Sequence, residues 1–444
     1  MQLPAVPGAL APSLLAIPVA FGINAATALA DSPLALMLTG VLLLAGLISI
    51  IFFVSGGSHF QDPLFCVFVV LSFTSVADLI ISLEEDGYIS GFMEVYVREV
   101  PPHRPPSGSR TPRSCDEQPR APRASRDAAP APKGTVQGAA PAPAGSPGVG
   151  GVGRRRPPPH MIHNLPNGQG EPYLRTAHGI MICYWDGIIH YGLYLAMMAA
   201  IGQRKSYRNL GLFWLGSLMM SIVVFLLGNL IGKYSSDLSP SFLLNLPYIL
   251  IPLWAGVRLF QQPKALPCLS PEKVAKEQGK CLYQRPQDMG LVLVLLLTAA
   301  FTFFRGMVVL DCPADSCFEY IYQHEPYLRD PVGYPKVQML IYLFYVLPFF
   351  CLSIYGLVLP GCSWLPDWSL VFAGAIAQAQ FSHLGSSLHA RTPFPYQTPE
   401  DVWWSFLLTN VLYALGPQLL AFRCLRCPAF FLPATPASRG KKHQ

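Results

Sequence analysis

Glu171-Pro-Tyr-Leu-Arg175 and Glu325-Pro-Tyr-Leu-Arg329 are one pentapeptide written twice in a single chain, each time just ahead of a long apolar run. A second pair keeps the same order. Asn245-Leu-Pro-Tyr248-Ile-Leu-Ile-Pro252 and Asn410-Val-Leu-Tyr413-Ala-Leu-Gly-Pro417 share Asn, Tyr, Leu and Pro at equal offsets. Two landmarks in register point to an internal duplication. The residues around them show what was duplicated. Of 444 residues, 52% are hydrophobic and 13% charged, against about a quarter charged in soluble domains. Lipid is therefore the expected solvent. A run of about 20 apolar residues crosses a hydrocarbon core of roughly 30 Å, and ten such runs fall near 9–29, 34–54, 64–83, 178–201, 211–232, 240–260, 290–310, 338–358, 368–386 and 405–425.

These runs predict an all-α polytopic membrane protein of about ten transmembrane helices, two N-terminal helices followed by two parallel four-helix repeats. The expected boundaries are 1–60 for the first two helices, 61–256 for repeat one, 257–286 for a cytosolic linker, 287–421 for repeat two and 422–444 for a tail. The first run, with Pro12, Pro18 and Asn24, and the ninth, with Gln378, Gln380 and His383, are the weakest and could be broken or re-entrant. Repeat one also carries an insertion, 101–170, with 16 prolines and ten Lys or Arg against three acids. Such a segment cannot bury enough apolar surface to fold and should be a disordered loop. Its composition equally resembles translated GC-rich non-coding sequence. It holds a charge of +7 in a chain of +6, so the rest carries about −1 and nothing points to a nucleic-acid partner.

Orientation follows from charges near the run ends. Arg204, Lys205 and Arg208, then Lys264, Lys273, Lys276, Lys280 and Arg285, then Arg423 and Arg426, all follow even-numbered runs. Glu84, Glu85 and Asp86, and Asp311, Asp315 and Glu319, follow odd ones. Both termini should be cytosolic. No basic stretch precedes the first run, so no cleavable signal peptide is expected. The ending Lys441-Lys442-His443-Gln444 has the dilysine spacing read by coat-protein retrieval machinery, an address of the endoplasmic reticulum and not an anchor.

Eleven cysteines show no zinc-like spacing, so neither metal nor cofactor is expected. Cys312 and Cys317 fall in an expected lumenal loop, where oxidising conditions would permit a disulfide. Cys424 and Cys427, at a cytosolic membrane edge, suit palmitoylation or plain burial.

Ionisable groups within spans are costly and mark function by default. Asp78 and Asp186, with Trp185 beside the second and His190 one turn on, lie at comparable depth with Asn229, Asn245 and Tyr248. Such a layer is read as a lipid-binding pocket between helices. The bland reading, Asp186 and His190 satisfying one another, stays open beside it. In repeat two, Arg305 and Gln338 stand near the places of the two acids, so acid-dependent chemistry would belong to repeat one.

The stretches Phe73-Thr-Ser-Val-Ala-Asp78-Leu-Ile-Ile, Met181-Ile-Cys-Tyr-Trp-Asp186-Gly, Phe304-Arg-Gly, Leu310-Asp-Cys-Pro, Tyr334-Pro-Lys-Val-Gln-Met-Leu and Gly361-Cys-Ser-Trp-Leu-Pro-Asp resemble the transmembrane 6 superfamily, over nearly everything except 101–170. The resemblance implies two EXPERA domains, the four-helix module of the emopamil-binding sterol isomerase and the sigma-2 receptor. The dilysine ending is similar to that of the family member associated with the endoplasmic reticulum and the ER-Golgi intermediate compartment. In the isomerase, membrane-embedded His and Glu move protons on a sterol beside a Trp and an Asn. By motif, Asp78 and Asp186 resemble the acids, and Asn245 and Tyr248 the Asn and Trp. The match is incomplete, because Thr74 stands where that histidine would be, and Tyr is a poorer face for a cation than Trp.

The resemblance thus implies a non-enzymatic lipid-handling factor that supports lipid loading and secretion of triglyceride-rich lipoproteins and limits lipid-droplet content. Its implied partners are membrane lipid or sterol and lipoprotein-assembly proteins. The alternative is a sterol delta8-delta7 isomerase-like enzyme using Asp78, Asp186 and His190.

Overall fold

Helix starts are written locally. Asp62 accepts a hydrogen bond from the Leu64 amide at 3.0 Å and Pro63 follows as the first helical residue, opening helix α2 (Pro63–Glu85). The computed structural model describes residues 12–25, 38–43, 45–46, 49, 62–92, 172–235, 246–264 and 269–433, which belong to one compact unit. Before α2 lies the short α1 (Ala16–Ala25). After it, Thr176 accepts from the Gly179 amide at 3.0 Å to start α3 (Ala177–Trp185), which continues through a π-helical turn, Asp186–His190, into α4 (Tyr191–Gly202). Helices α5 (Arg208–Ile231), α6 (Pro247–Gln261) and the short α7 (Pro271–Gln278) follow.

The chain goes on through α8 (Pro286–Val309) and the one-turn α9 (Asp315–Glu319). A π-helical turn, Tyr320–His324, follows α9; then α10 (Tyr334–Ile341) runs through a further π-helical turn, Tyr342–Val346, into α11 (Leu347–Val358). Helices α12 (Leu365–Leu388) and α13 (Trp403–Arg426) complete the order. The described parts of the two pentapeptides, Pro172–Arg175 and Pro326–Arg329, are both single 3-10 turns. Each leads into a helix that a π turn interrupts.

The expected fold class needs correction. Among the described residues, five helical stretches are long and apolar enough to cross a membrane: Pro63–Glu85, Arg208–Ile231, Pro286–Val309, Tyr334–Val358 and Phe394–Arg426. Among the described residues, about ten transmembrane helices in two separate four-helix repeats do not form. The reasons differ from run to run. Helix α6 has 15 residues, about 22 Å at 1.5 Å per residue, and α1 has 10. The α3–α4 stretch contains Asp186 and His190, and α12 contains Gln378, Gln380, His383 and four serines, nearly all buried in protein. Their polar groups face other helices and not lipid.

Nor do the two halves pack as separate modules. Helix α5 from the first half and α12 from the second cross so closely that a Cβ on Gly216 would overlap the Val371 carbonyl, and one on Gly374 would overlap the Phe213 carbonyl. Only glycine fits at such a crossing. On one side of α5, Trp214 is fully buried among Phe68, Tyr194 and Tyr207, its indole N–H donating to the Tyr194 hydroxyl at 2.9 Å. Toward the other end, Gly228 admits the ring of Tyr334, which stacks on His178 at 4.5 Å.

Alanine at Gly216 should force the two helices apart and cost about 1–3 kcal/mol or more, as overpacking does. Gly192→Ala, where an added Cβ meets nothing within 4 Å, should be neutral. Melting temperatures of the purified variants in one detergent check the pair; equal values would remove the crossing from its central place.

Candidate functional site

The π turn places two titratable groups where an ordinary helix would not. A π turn inserts an extra residue and recurs at functional sites. Here Gly187, inside the turn, lies so close to α2 that a Cβ would come within 2.6 Å of the Leu79 Cβ. That closeness brings Ser75 of α2 to Asp186: the Ser75 hydroxyl donates to Asp186 Oδ2 at 2.9 Å. The other oxygen, Oδ1, lies 2.6 Å from His190 Nδ1. The opposite ring nitrogen, Nε2, is 2.7 Å from Ser217 Oγ on α5, and the Trp185 indole N–H donates to that same Oγ at 2.8 Å. Asp186, His190, Trp185 and Ser217 are all buried.

The half-buried Asp78 of α2 joins the group, its carboxyl set against that of Asp186. Tyr248, on α6, is hydrogen-bonded to Thr74. The structure therefore gathers Asp78, Trp185, Asp186, His190 and Tyr248 in one place. Ser75 and Ser217 were missed in the sequence; a hydroxyl in an apolar helix is too common to stand out before its partner is known. The line Ser217–His190–Asp186 has the order of a hydrolytic triad, with its serine wholly buried. Asn245 lies outside the described residues, as do Lys441, Lys442 and the segment 101–170.

A second buried cluster forms around Arg305 of α8. Its Nε donates to Glu325 Oε2 at 3.0 Å, its Nη2 donates to Glu325 Oε1, and the same Nη2 lies 2.9 Å from His383 Nε2 of α12. Arg305, Glu325 and His383 have no solvent exposure. Among the described residues, Arg305 Nη1, His383 Nδ1, Asn410 Oδ1 and Gln380 Oε1 are buried without a hydrogen-bond partner. One signal for this cluster was available in the sequence: an arginine within a span needs an anion, and Glu325 opens the repeated pentapeptide.

Glu325 itself sits outside the spans, in the connection after α9. Burial raises its carboxyl, but the Arg305 guanidinium and the His383 ring outweigh burial and hold it down at about 2. Elsewhere, Cys312 and Cys317 are free thiols hydrogen-bonded to one another, which lowers the first and, with burial, pushes the second up to about 11. Among the described residues no group of three or more His, Cys, Asp or Glu is placed to hold a metal ion.

The family model described as "Transmembrane 6 superfamily member 2-like, transmembrane domain" matches residues 15–105 and 164–270, and the EXPERA (expanded EBP superfamily) model matches 314–424. The chain is 50% identical to transmembrane 6 superfamily member 2 of Rattus norvegicus over 449 residues, covering all of both chains. Identity to the Mus musculus and Homo sapiens proteins of that name is 49%, again over the full length of both. The chain belongs to the transmembrane 6 superfamily. Within it, Asp78, Trp185, Asp186, His190 and Tyr248 fall in the part matched by the superfamily's own transmembrane model, and Glu325, His383 and Asn410 in the part matched by EXPERA. No solved structure matches. With its membrane-crossing helices, this member of the superfamily is a multi-pass membrane protein.

Removing one partner of a buried ion pair leaves the other uncompensated, so Glu325→Gln should cost about 3–5 kcal/mol. Because the folded-state carboxyl is depressed, its stabilisation is complete above the unfolded value, about 4.3, and is lost as pH falls from there toward 2. Thermal unfolding followed from pH 7 down to 3 should show an acid limb that flattens in Glu325→Gln.

Proposed function

We propose that the chain is a non-enzymatic lipid-handling protein of the endoplasmic reticulum membrane, acting in loading and secretion of triglyceride-rich lipoproteins and in limiting lipid-droplet content. Membership of the superfamily supports the lipid-handling role and the endoplasmic reticulum–Golgi membrane location. The observation that carries the reading is the set of buried polar atoms around Arg305 and His383 that lack a protein partner among the described residues. Such atoms are expensive in an apolar interior unless something bonds to them. An amphipathic lipid, with a hydroxyl to accept and donate and a hydrocarbon body to pack, meets that need. The occupants we infer are membrane lipid or sterol. Working partners would be lipoprotein-assembly proteins and, through Lys441 and Lys442 on a cytosolic tail, the coat-protein retrieval machinery.

A sterol isomerase is the second reading, favoured by the 2.6 Å contact of Asp186 with His190 and the adjoining Asp78. Against it, the place of the isomerase histidine is filled by Thr74, and Thr74 is engaged with Tyr248. The acid network is also closed on itself. Every oxygen of Asp186 and both ring nitrogens of His190 are already bonded within the protein, which suits packing better than proton transfer to a substrate.

Full-length protein in lipid nanodiscs, offered a delta-8 sterol, separates the two. Binding without turnover is the expected result. Turnover that disappears in Asp78→Asn would overturn the non-enzymatic reading, and failure to bind any sterol or neutral lipid would overturn lipid handling at this site. In the same preparation from microsomes, a Cys312–Cys317 linkage found by non-reducing peptide mapping is expected if that loop is lumenal.

A further inference from the structure

At the opposite end of the helices from Glu85 and Asp86, where Arg208 opens α5 and Arg423 and Arg426 close α13, a cavity of about 260 Å³ lies between α5, α12 and the end of α13. Its polar wall is Arg208, Lys264 and Asp367; its apolar wall includes Leu370, Leu425 and Phe431. Asp367 is already shared. Its Oδ1 accepts from Arg208 Nη1 at 2.6 Å, and its Oδ2 lies 2.6 Å from Lys264 Nζ. Two cations therefore face one carboxylate, and the wall keeps a net positive charge.

The arginine is the decisive group. Arg208 is 3% exposed, yet its Nε and Nη2 have no partner among the described residues. Those two N–H groups form one edge of the guanidinium, the parallel pair that meets two oxygens of a phosphate or carboxylate at once. A buried, charged, unsatisfied edge is costly, and the residue that carries it is part of the cavity's lining. The apolar wall rules against a freely hydrated anion as the best occupant. The cavity sits level with the ends of the membrane-crossing helices α5 and α13, where lipid phosphates lie. It has room for a phosphate and adjoining glycerol carbons, while the acyl chains would run down the apolar side.

We propose that this cavity binds the phosphate of an anionic phospholipid, held by the Nε and Nη2 edge of Arg208 and by Lys264, with Asp367 orienting both cations. The net positive wall favours an anionic headgroup over a zwitterionic one of the same chain length. This site is separate from the Arg305–Glu325–His383 cluster and does not depend on a lipid bound there.

The test uses purified full-length protein and native mass spectrometry after exchange into nanodiscs containing equal amounts of phosphatidic acid and phosphatidylcholine with matched chains. Wild type should retain phosphatidic acid at least tenfold over phosphatidylcholine, and Lys264→Gln should reduce that preference several-fold. Arg208→Lys, which keeps a cation opposite Asp367 but removes the two-pronged edge, should abolish the preference while melting close to the wild-type temperature. Equal retention of the two lipids by wild type, or an unchanged preference in both variants, would overturn the proposal. Displacement of the lipid by inorganic phosphate at equal concentration would overturn the membrane as the source of the occupant.

Discussion

The close approach of α5 and α12 at Gly216 and Gly374 governs the rest of the structure. Backbones that meet without side chains between them leave little freedom in crossing angle or register, so whatever each helix carries is positioned by the other. Ser217, next to Gly216, is thereby presented to Trp185 and His190. His383, two and a half turns beyond Gly374 on α12, is presented to Arg305 and Glu325. Both buried polar networks are thus referenced to one joint. In a membrane, where apolar side chains gain nothing by leaving lipid for protein, close backbone packing of this kind takes over much of the organising role that the hydrophobic effect has in water.

The two networks differ in how completely they are satisfied. Around Asp186 every strong donor and acceptor named above has a partner, and the π turn that brings Asp186 to Ser75 and His190 to Ser217 reads as part of a rigid assembly. Around Arg305 the ion pair is satisfied on one side and open on the other. A site that must hold its shape and a site that must accept a guest are expected to differ in this way.

Much of this was legible in the sequence, and its limits have physical causes. Composition and apolar runs give the membrane and the helices, and Asp78, Trp185, Asp186, His190 and Tyr248 were found because a polar residue in an apolar run is conspicuous. The count of spans was not legible. Run length measures apolar residues without saying whether lipid or protein receives them, so α12, wrapped by neighbours on most sides, reads like a weak span. The pentapeptide repeat correctly marked two equivalent local turns, yet it could not show that α5 and α12 would pack across the halves. That Arg305 needs an anion was legible, but the addition of His383, 78 residues away, is set by packing alone.

The Arg305–Glu325 pair also bears on how the chain is made. In the order of synthesis Arg305 precedes Glu325 by 20 residues and His383 by 78. Until the connection carrying Glu325 and the helix carrying His383 pack against it, the guanidinium of α8 is an unpaired charge in an apolar span, which is costly. The finished depth of α8 therefore depends on segments made after it, and α8 is complete as a span only once the second half has closed around its charge.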